Sequence, residues 1–118
     1  MVLTDISQLR GALSVIATKS TNKRVDKARN LLCEEIIHDT ENFVPYDTGK
    51  LSSSAKILDN GKRIAYTADY AEYVNNMPES NNFNRSKHTQ ATSHWLDASI
   101  ALNRDKWVNN FKERVGGR

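Results

Sequence analysis

The sequence predicts an α+β domain in which two N-terminal helices and a long C-terminal helix pack on a small antiparallel β-sheet. Three observations lead to this prediction. Apolar residues recur at three- and four-residue spacing in three separate stretches, as they do on one face of a helix. Asn60 and Gly61 lie between two loosely alternating segments, which is a strong hairpin signal. The length of 118 residues fits one domain that spans residues 1–118.

Two helices are predicted for the N-terminal part of the chain. The first covers residues 4–19, and its apolar stripe consists of Val2, Ile6, Leu9, Leu13 and Ile16. Polar residues 20–22 interrupt the pattern and predict a turn. The second helix covers residues 23–41, with the apolar stripe Val25, Ala28, Leu32 and Ile36. Because the link is short, we expect a helical hairpin or one kinked unit.

A turn motif follows the helices. Pro45 ends the helical region, because proline disfavours a helical conformation in the residue before it. Asp47 can accept a hydrogen bond from the backbone two residues on, and Gly49 can adopt a positive φ. The predicted structural turn motif consists of Pro45, Asp47, Thr48, Gly49 and Leu51. We expect Asp47 and Thr48 to fix the turn and to carry no chemistry.

The second half of the chain begins with two predicted antiparallel strands, at residues 53–58 and 64–67. Residues 69–74 fit either a single helical turn or the end of the sheet. Residues 75–91 are polar and rich in asparagine, which predicts a mobile loop, and we expect residues 75–86 to become ordered on assembly. A last helix is predicted for residues 92–114. It carries two apolar strips: Leu96, Ile100, Trp107 and Phe111, and separately Trp95, Ala98 and Leu102.

The residue types that catalysis or metal binding needs form no recognisable pattern. The three histidines and the single cysteine, Cys33, do not make up the ligands of a structural zinc site. The serines at positions 52–54 have no activating base in the local sequence. The carboxylates of Glu34, Glu35 and Asp39 fit a solvated helix face better than an acid–base pair. We therefore expect no enzyme, metal, cofactor or small-molecule substrate.

Charge and hydropathy narrow the possible partners. The net charge is +3, from 17 Lys and Arg against 14 Asp and Glu. No basic stripe is interleaved with aromatic residues, so we expect at most non-specific contact with passing DNA. No apolar run approaches the roughly 18 residues of a membrane span, and the N-terminus lacks a signal-peptide pattern. With one cysteine, the chain fits a reducing cytosol and no membrane.

Aromatic residues suggest contacts with other subunits. The candidate interface residues are Tyr66, Tyr70, Tyr73, Trp95 and Leu102. Tyrosine and tryptophan are favoured at interfaces, because they combine a large apolar area with a polar group. The two strips of the last helix also exceed what one small sheet covers, so we expect one strip to meet a neighbour. The alternative is that the aromatic residues fill a thin core around the hairpin.

Residues 45–54 resemble the Pro-x-Asp-Thr-Gly-x-Leu-x-x-Ser signature of the minor capsid and tail-completion proteins of long-tailed double-stranded DNA phages. The resemblance continues in order. Two helices precede the signature, and a hairpin follows it. Residues 66–74 are similar to the family's Tyr-Ala segment. A variable loop then leads to a C-terminal helix that opens on an aromatic residue, Trp95.

The resemblance implies a structural virion protein of a bacteriophage or prophage, in the head–tail connector, or neck. Such a protein completes the tail or joins it to the DNA-filled head by ring-like oligomerisation. Its partners would be other neck and tail proteins. It would be located at the head–tail joint, and in the host cytoplasm before assembly. The alternatives are a small DNA-binding or toxin–antitoxin regulator, which would shift labelled DNA at moderate salt, and a small hydrolase, which would react with a serine-directed probe.

Overall fold

The computed structural model describes residues 2–5, 23–46, 49–78, 83 and 85–116 of the chain. The strands are β1 (Val2–Asp5), β2 (Ala55–Leu58) and β3 (Arg63–Tyr66). The helices are α1 (Lys23–Thr40), α2 (Lys50–Ser53), α3 (Ala71–Asn75) and α4 (Trp95–Gly116). A 3₁₀ turn, Glu41–Phe43, follows α1. None of the helices in these ranges combines the length and apolar character needed to cross a membrane.

The sheet has three antiparallel strands in the order β1-β3-β2. Strands β2 and β3 form the predicted hairpin, with Ile57 opposite Ile64 and Lys56 opposite Ala65. Strand β1 pairs with the other edge of β3, where Val2 lies opposite Tyr66. The α+β class, the small antiparallel sheet and the long C-terminal helix are therefore confirmed.

The helix prediction was wrong at the N-terminus. The described part of the chain has one long N-terminal helix, α1, and not two. The predicted helix at residues 4–19 begins inside β1, and residues 6–22 lie outside the described ranges. Burial in β1 follows a period of two: Val2 packs against the core while Leu3 is 46% exposed. Because Val2 is β-branched and pairs with β3, strand pairing prevails here over helical spacing.

The core lies between the inner face of the sheet and the helices α1 and α4. Its largest fully buried side chains include Leu32, Ile36, Ile64, Tyr66, Trp95, Trp107 and Phe111. The rings of Tyr66 and Trp95 meet edge to face, with centroids 5.4 Å apart. The first apolar strip predicted for the last helix therefore faces the core through Trp107 and Phe111.

Polar contacts along one face of α1 fix its packing on α4. The buried Thr40 hydroxyl donates to Ser99 Oγ at 2.8 Å. One turn earlier in α1, Glu35 accepts a hydrogen bond from Asn110 at 2.6 Å and pairs with Arg114 at 3.3 Å. Glu35 thus holds two helices together, which differs from the solvated face that we predicted for it.

Asp39 is the most heavily bonded carboxylate of this interface. Its Oδ2 atom accepts from Trp107 Nε1 at 2.8 Å and lies 2.8 Å from Lys106 Nζ. Burial raises the pKa of Asp39, but hydrogen bonds from Lys106, Trp107 and His38 outweigh it, so the net pKa lies below its usual value. The same bond to Asp39 raises the pKa of Lys106. Asp39 therefore works as a charged link between α1 and α4.

The hairpin turn packs against the middle of α1. Asp59, Asn60 and Gly61 all have positive φ. Asn30 Nδ2 donates to Asn60 Oδ1 at 3.1 Å, and Cys33 Sγ–H donates to the Gly61 carbonyl at 3.2 Å. The Asn-Gly pair therefore forms the turn and also brings the hairpin into backbone contact with the helix.

Two predicted boundaries are resolved by the fold. The sequence of residues 69–74 fitted either a helical turn or the end of the sheet. In the structure, Ala71–Asn75 form the short helix α3. The last helix begins at Trp95, three residues later than predicted, since the preceding His94 has a positive φ of 49°. The His94 amide donates to the Asn75 carbonyl at 3.1 Å, so the C-terminal end of α3 and the N-terminal end of α4 are in contact.

Candidate assembly surfaces

The described part of the signature segment leads into α2 through Gly49, the residue before the helix. Gly49 has a φ of +84°, and its carbonyl accepts from the amide of Ser53 at 3.1 Å. A Cβ at this position would meet the Tyr46 ring at 3.2 Å. Leu51 is buried and anchors α2 in the core, while Pro45 is half-buried. The described members of the turn motif thus make backbone and packing contacts.

Asp47 and Thr48 lie outside the residues that the structure describes, so their predicted capping role stays a prediction. Hydrogen bonds between other residues of the same segment also hold it in place. The Ser52 hydroxyl donates to the Gly49 carbonyl at 3.3 Å, and the Ser54 hydroxyl donates to the Leu51 carbonyl at 2.7 Å. Both serine side chains thus form hydrogen bonds with nearby backbone carbonyls, as serine commonly does in short helices.

A strap of residues 85–91 packs against the chain that enters the signature. His88 is buried, and its Nδ1–H donates to the Val44 carbonyl at 2.7 Å. The His88 ring also meets Tyr46 edge to face, with centroids 4.9 Å apart. Sequence reasoning assigned His88 to a mobile polar loop. No local pattern indicated this contact, because its partners lie more than 40 residues away.

Asn42 secures the same strap from the other side. Its side-chain amide donates to Thr89 Oγ1 at 2.9 Å, and its Oδ1 accepts from the Thr89 amide at 2.8 Å. Its carbonyl accepts from the Gln90 amide at 3.2 Å. These contacts concern only residues 85–91 of the predicted loop. The mobility predicted for residues 75–91 concerns motion in solution and stays a prediction.

An open cleft lies between α1 and the signature turn; we call it the acidic cleft. Its volume is about 490 Å³. Ile37, Tyr46 and Tyr66 contribute apolar surface, and Glu34 and Glu41 contribute carboxylates. Burial, and secondly the charge of Glu41, raises the pKa of Tyr66, so this phenol stays neutral. No lysine or arginine of the described ranges lines the cleft.

The five candidate interface residues divide into two groups. Tyr66 and Trp95 are only 2% and 0% exposed. Both side chains fill the core, in agreement with the alternative stated for the aromatic residues. Neither is accessible to a neighbouring subunit in this conformation. Tyr73 and Leu102 are 72% and 66% exposed, and Tyr70 is partly exposed. Large exposed side chains of this kind are typical of surfaces that contact other molecules.

The described residues show no arrangement with evident reactivity. No group of three or more His, Cys, Asp and Glu side chains in these ranges is placed to hold a metal ion. Burial raises the pKa of the Cys33 thiol to about 12, with a smaller opposing effect from Arg29, so Cys33 is not a thiolate at neutral pH. The Ser53 hydroxyl donates to the Lys50 carbonyl at 3.2 Å. The surfaces described above are suited to contact with other chains.

Comparison with known proteins agrees with this geometry. A family model described as minor capsid protein matches residues 8–115. A search of curated proteins and a search of solved structures each found no significant match. Since the family match covers nearly the whole chain, from before α1 to the end of α4, the protein belongs to the phage minor capsid protein family and is a structural component of the virion.

Proposed function

We propose that this minor capsid protein is a subunit of the head–tail connector, which completes or joins the tail to the DNA-filled head as a ring. Membership of the minor capsid family supports a virion role. The ordered resemblance of residues 45–54, 66–74 and the start of α4 to tail-completion proteins supports the neck. Head-to-tail contacts between identical subunits close into rings, which suits a joint around a central passage.

The observation that carries the proposal is the exposure of Tyr73 and Leu102. In a domain whose core already buries two tryptophans, these large side chains remain 72% and 66% exposed. Exposed aromatic and aliphatic residues become contact points when subunits assemble. The partners would be copies of this chain and other neck and tail proteins.

The role that we propose is structural and not catalytic, with the host cytoplasm as the site of synthesis and the head–tail joint as the destination. Passing DNA would make only non-specific contacts, since a net charge of +3 is a weak electrostatic attraction. Residues 75–86 would lose mobility as the neck assembles, because polar segments of this kind often order on binding.

Complementation tests the proposal. In a phage or prophage that lacks this gene, a plasmid copy of the wild-type chain should restore tailed particles, and Tyr73→Ala with Leu102→Ala should not. Lys112→Ala, an exposed change on α4, is the control and should restore them. Joined, infectious particles made with the double variant would contradict the interface role of these residues.

The basic character of the chain favours a small DNA-binding regulator as the second candidate; its sequence pI is about 9.1. A gel-shift titration separates the two functions. A connector subunit should bind labelled DNA weakly, without sequence preference, and with affinity lost as salt rises. A sequence-specific shift at moderate salt would favour the regulator.

A further inference from the structure

A second surface of this chain is complementary to the acidic cleft. Burial alternates along β2, so Ala55 and Ile57 pack toward the core while Lys56 and Leu58 point outward. Leu58 is 37% exposed. The Lys62 amide donates to the Leu58 carbonyl at 3.2 Å, so Lys62, which is exposed, lies close to Leu58. We call Lys56, Leu58 and Lys62 the basic knob.

The cleft has the opposite charge pattern around a similar apolar centre. Glu34 and Glu41 are exposed, and Ile37 lies between them in the sequence; Glu34 and Ile37 belong to α1, and Glu41 begins the 3₁₀ turn that follows it. Seven residues separate the two carboxylates, which is about 10 Å along a helix axis. The knob and the cleft thus carry charges of opposite sign, each set beside an apolar side chain.

The two surfaces share no residue. The hairpin turn beside the knob contacts Asn30 and Cys33 in the middle of α1. The cleft is formed by residues from Glu34 onward and by Tyr66, at the far end of β3. A contact between the knob of one copy and the cleft of the next leaves a free knob and a free cleft at the two ends. Such a contact repeats around a ring.

Charge distinguishes the knob from the exposed surface around Tyr70 and Tyr73. Tyr70 and Tyr73 are flanked by the exposed carboxylates of Asp69 and Glu72, which would face Glu34 and Glu41 with like charge. Like charges opposed at an interface weaken it. Asp59 and Arg63 also lie near the knob and pair with each other at 3.3 Å, so the excess charge there comes from Lys56 and Lys62.

We infer that the acidic cleft receives the basic knob of a neighbouring copy of this chain, with Leu58 packed toward Ile37 and the lysines toward Glu34 and Glu41. The inference deepens the proposed connector function by naming the subunit contact, and it rests on that function for its setting in the virion. Tyr70, Tyr73 and Leu102 then remain available to the other neck proteins.

Charge reversal with purified protein tests the contact. One variant carries Glu34→Lys and Glu41→Lys, a second carries Lys56→Glu and Lys62→Glu, and a third carries all four changes. Sedimentation velocity over a concentration series measures self-association. Each double variant should associate at least about tenfold more weakly than wild type, since like charges then meet. The fourfold variant should recover wild-type association, and so should an equimolar mixture of the two double variants.

Two controls make the result specific. Glu72→Lys with Lys112→Glu moves the same charges at exposed sites outside both surfaces and should leave association unchanged. Circular dichroism should show that every variant is folded, as expected for exposed side chains. Added salt should weaken the wild-type contact but not abolish it, because the contact includes an apolar centre.

Three outcomes would overturn the inference. The double variants could associate as wild type does, or the fourfold variant could fail to recover wild-type association. The wild type could also remain monomeric up to about 1 mM, and a contact weaker than that would be too weak to support assembly. These outcomes concern contacts between copies in solution. They are distinguishable from failure of the connector function, which complementation reports through unjoined heads and tails.

Discussion

Gly61 lies so close to α1 that a Cβ atom at its position would come within 2.8 Å of the Asn30 backbone nitrogen. Its φ of +87° also favours glycine alone. The backbone of α1 cannot move aside to make room for a Cβ atom, as a flexible side chain could. The hairpin and the helix therefore meet at a distance that only glycine permits, and this contact sets the position of both surfaces proposed to join subunits.

Gly61→Ala should destabilise the protein by about 2–4 kcal/mol, from the left-handed backbone and the overpacked contact together. Gly49→Ala is the matched control. Its φ is similar, at +84°, but its new Cβ would meet only the Tyr46 ring at 3.2 Å, so about 1–2 kcal/mol is expected. Urea unfolding at constant m-value measures both. Equal losses would show that proximity to α1 adds nothing.

Asp39→Asn should alter the acid dependence of stability. Because the pKa of Asp39 is lower in the folded than in the unfolded chain, its charge stabilises the fold above the ordinary pKa of 3.8. That contribution is lost as pH falls through the lowered folded pKa. The variant should therefore lose about 1 kcal/mol at neutral pH and progressively less below pH 4.

Thermal unfolding from neutral pH to about pH 2 measures this difference. The control is Asp105→Asn, whose carboxylate is almost fully exposed and pairs with Arg104 at 3.6 Å. It should follow the wild-type curve, since exposed pairs contribute little. A constant gap between Asp39→Asn and wild type at every pH would contradict the charged link to α4.

Substitutions of Thr40 and Ser99 should have non-additive effects on the free energy of unfolding. Their hydroxyls are buried and 2.8 Å apart, and Asn103 also donates to Ser99 Oγ at 3.1 Å. Thr40→Val and Ser99→Ala should each cost about 1–2 kcal/mol, because each leaves a buried polar group without its partner. The double variant should cost less than the sum. Additive losses in denaturant titrations would show that the bond contributes no stability.

Trp95 should prove to be a core residue. Trp95→Ala should cost about 3–5 kcal/mol, as expected for deleting a buried aromatic ring. Trp95→Phe should cost far less, because the buried indole N–H has no hydrogen-bond partner among the described residues. Tyr73→Ala should change stability by less than about 0.5 kcal/mol. A stable, folded Trp95→Ala variant would restore the original interpretation of Trp95 as an interface anchor.

The local parts of the fold were predictable from sequence. Asn60 and Gly61 predicted the hairpin because the turn geometry needs those residue types. The four-residue spacing of Trp107 and Phe111 predicted an apolar helical strip, and both side chains are buried, but Trp95 of the second strip is buried as well. In both cases the deciding interactions lie within a few residues of one another.

The nonlocal parts were not predictable in the same way. Four residues of β1 are too few to show a period, and its partner strand is some 60 residues away. Spacing showed two apolar strips on α4, but it could not show that Trp95 begins the helix against Tyr66 in the core. His88 carried no local signal, because its partners Val44 and Tyr46 are brought to it only by the fold.

Electron microscopy of particles made without this protein tests the central claim most directly. If the chain is a connector subunit, cells infected with a phage lacking its gene should accumulate DNA-filled heads and separate, complete tails that do not join. A plasmid copy of the gene should restore joined particles. Normally tailed, infectious particles in the absence of the protein, or heads that never fill with DNA, would contradict the account.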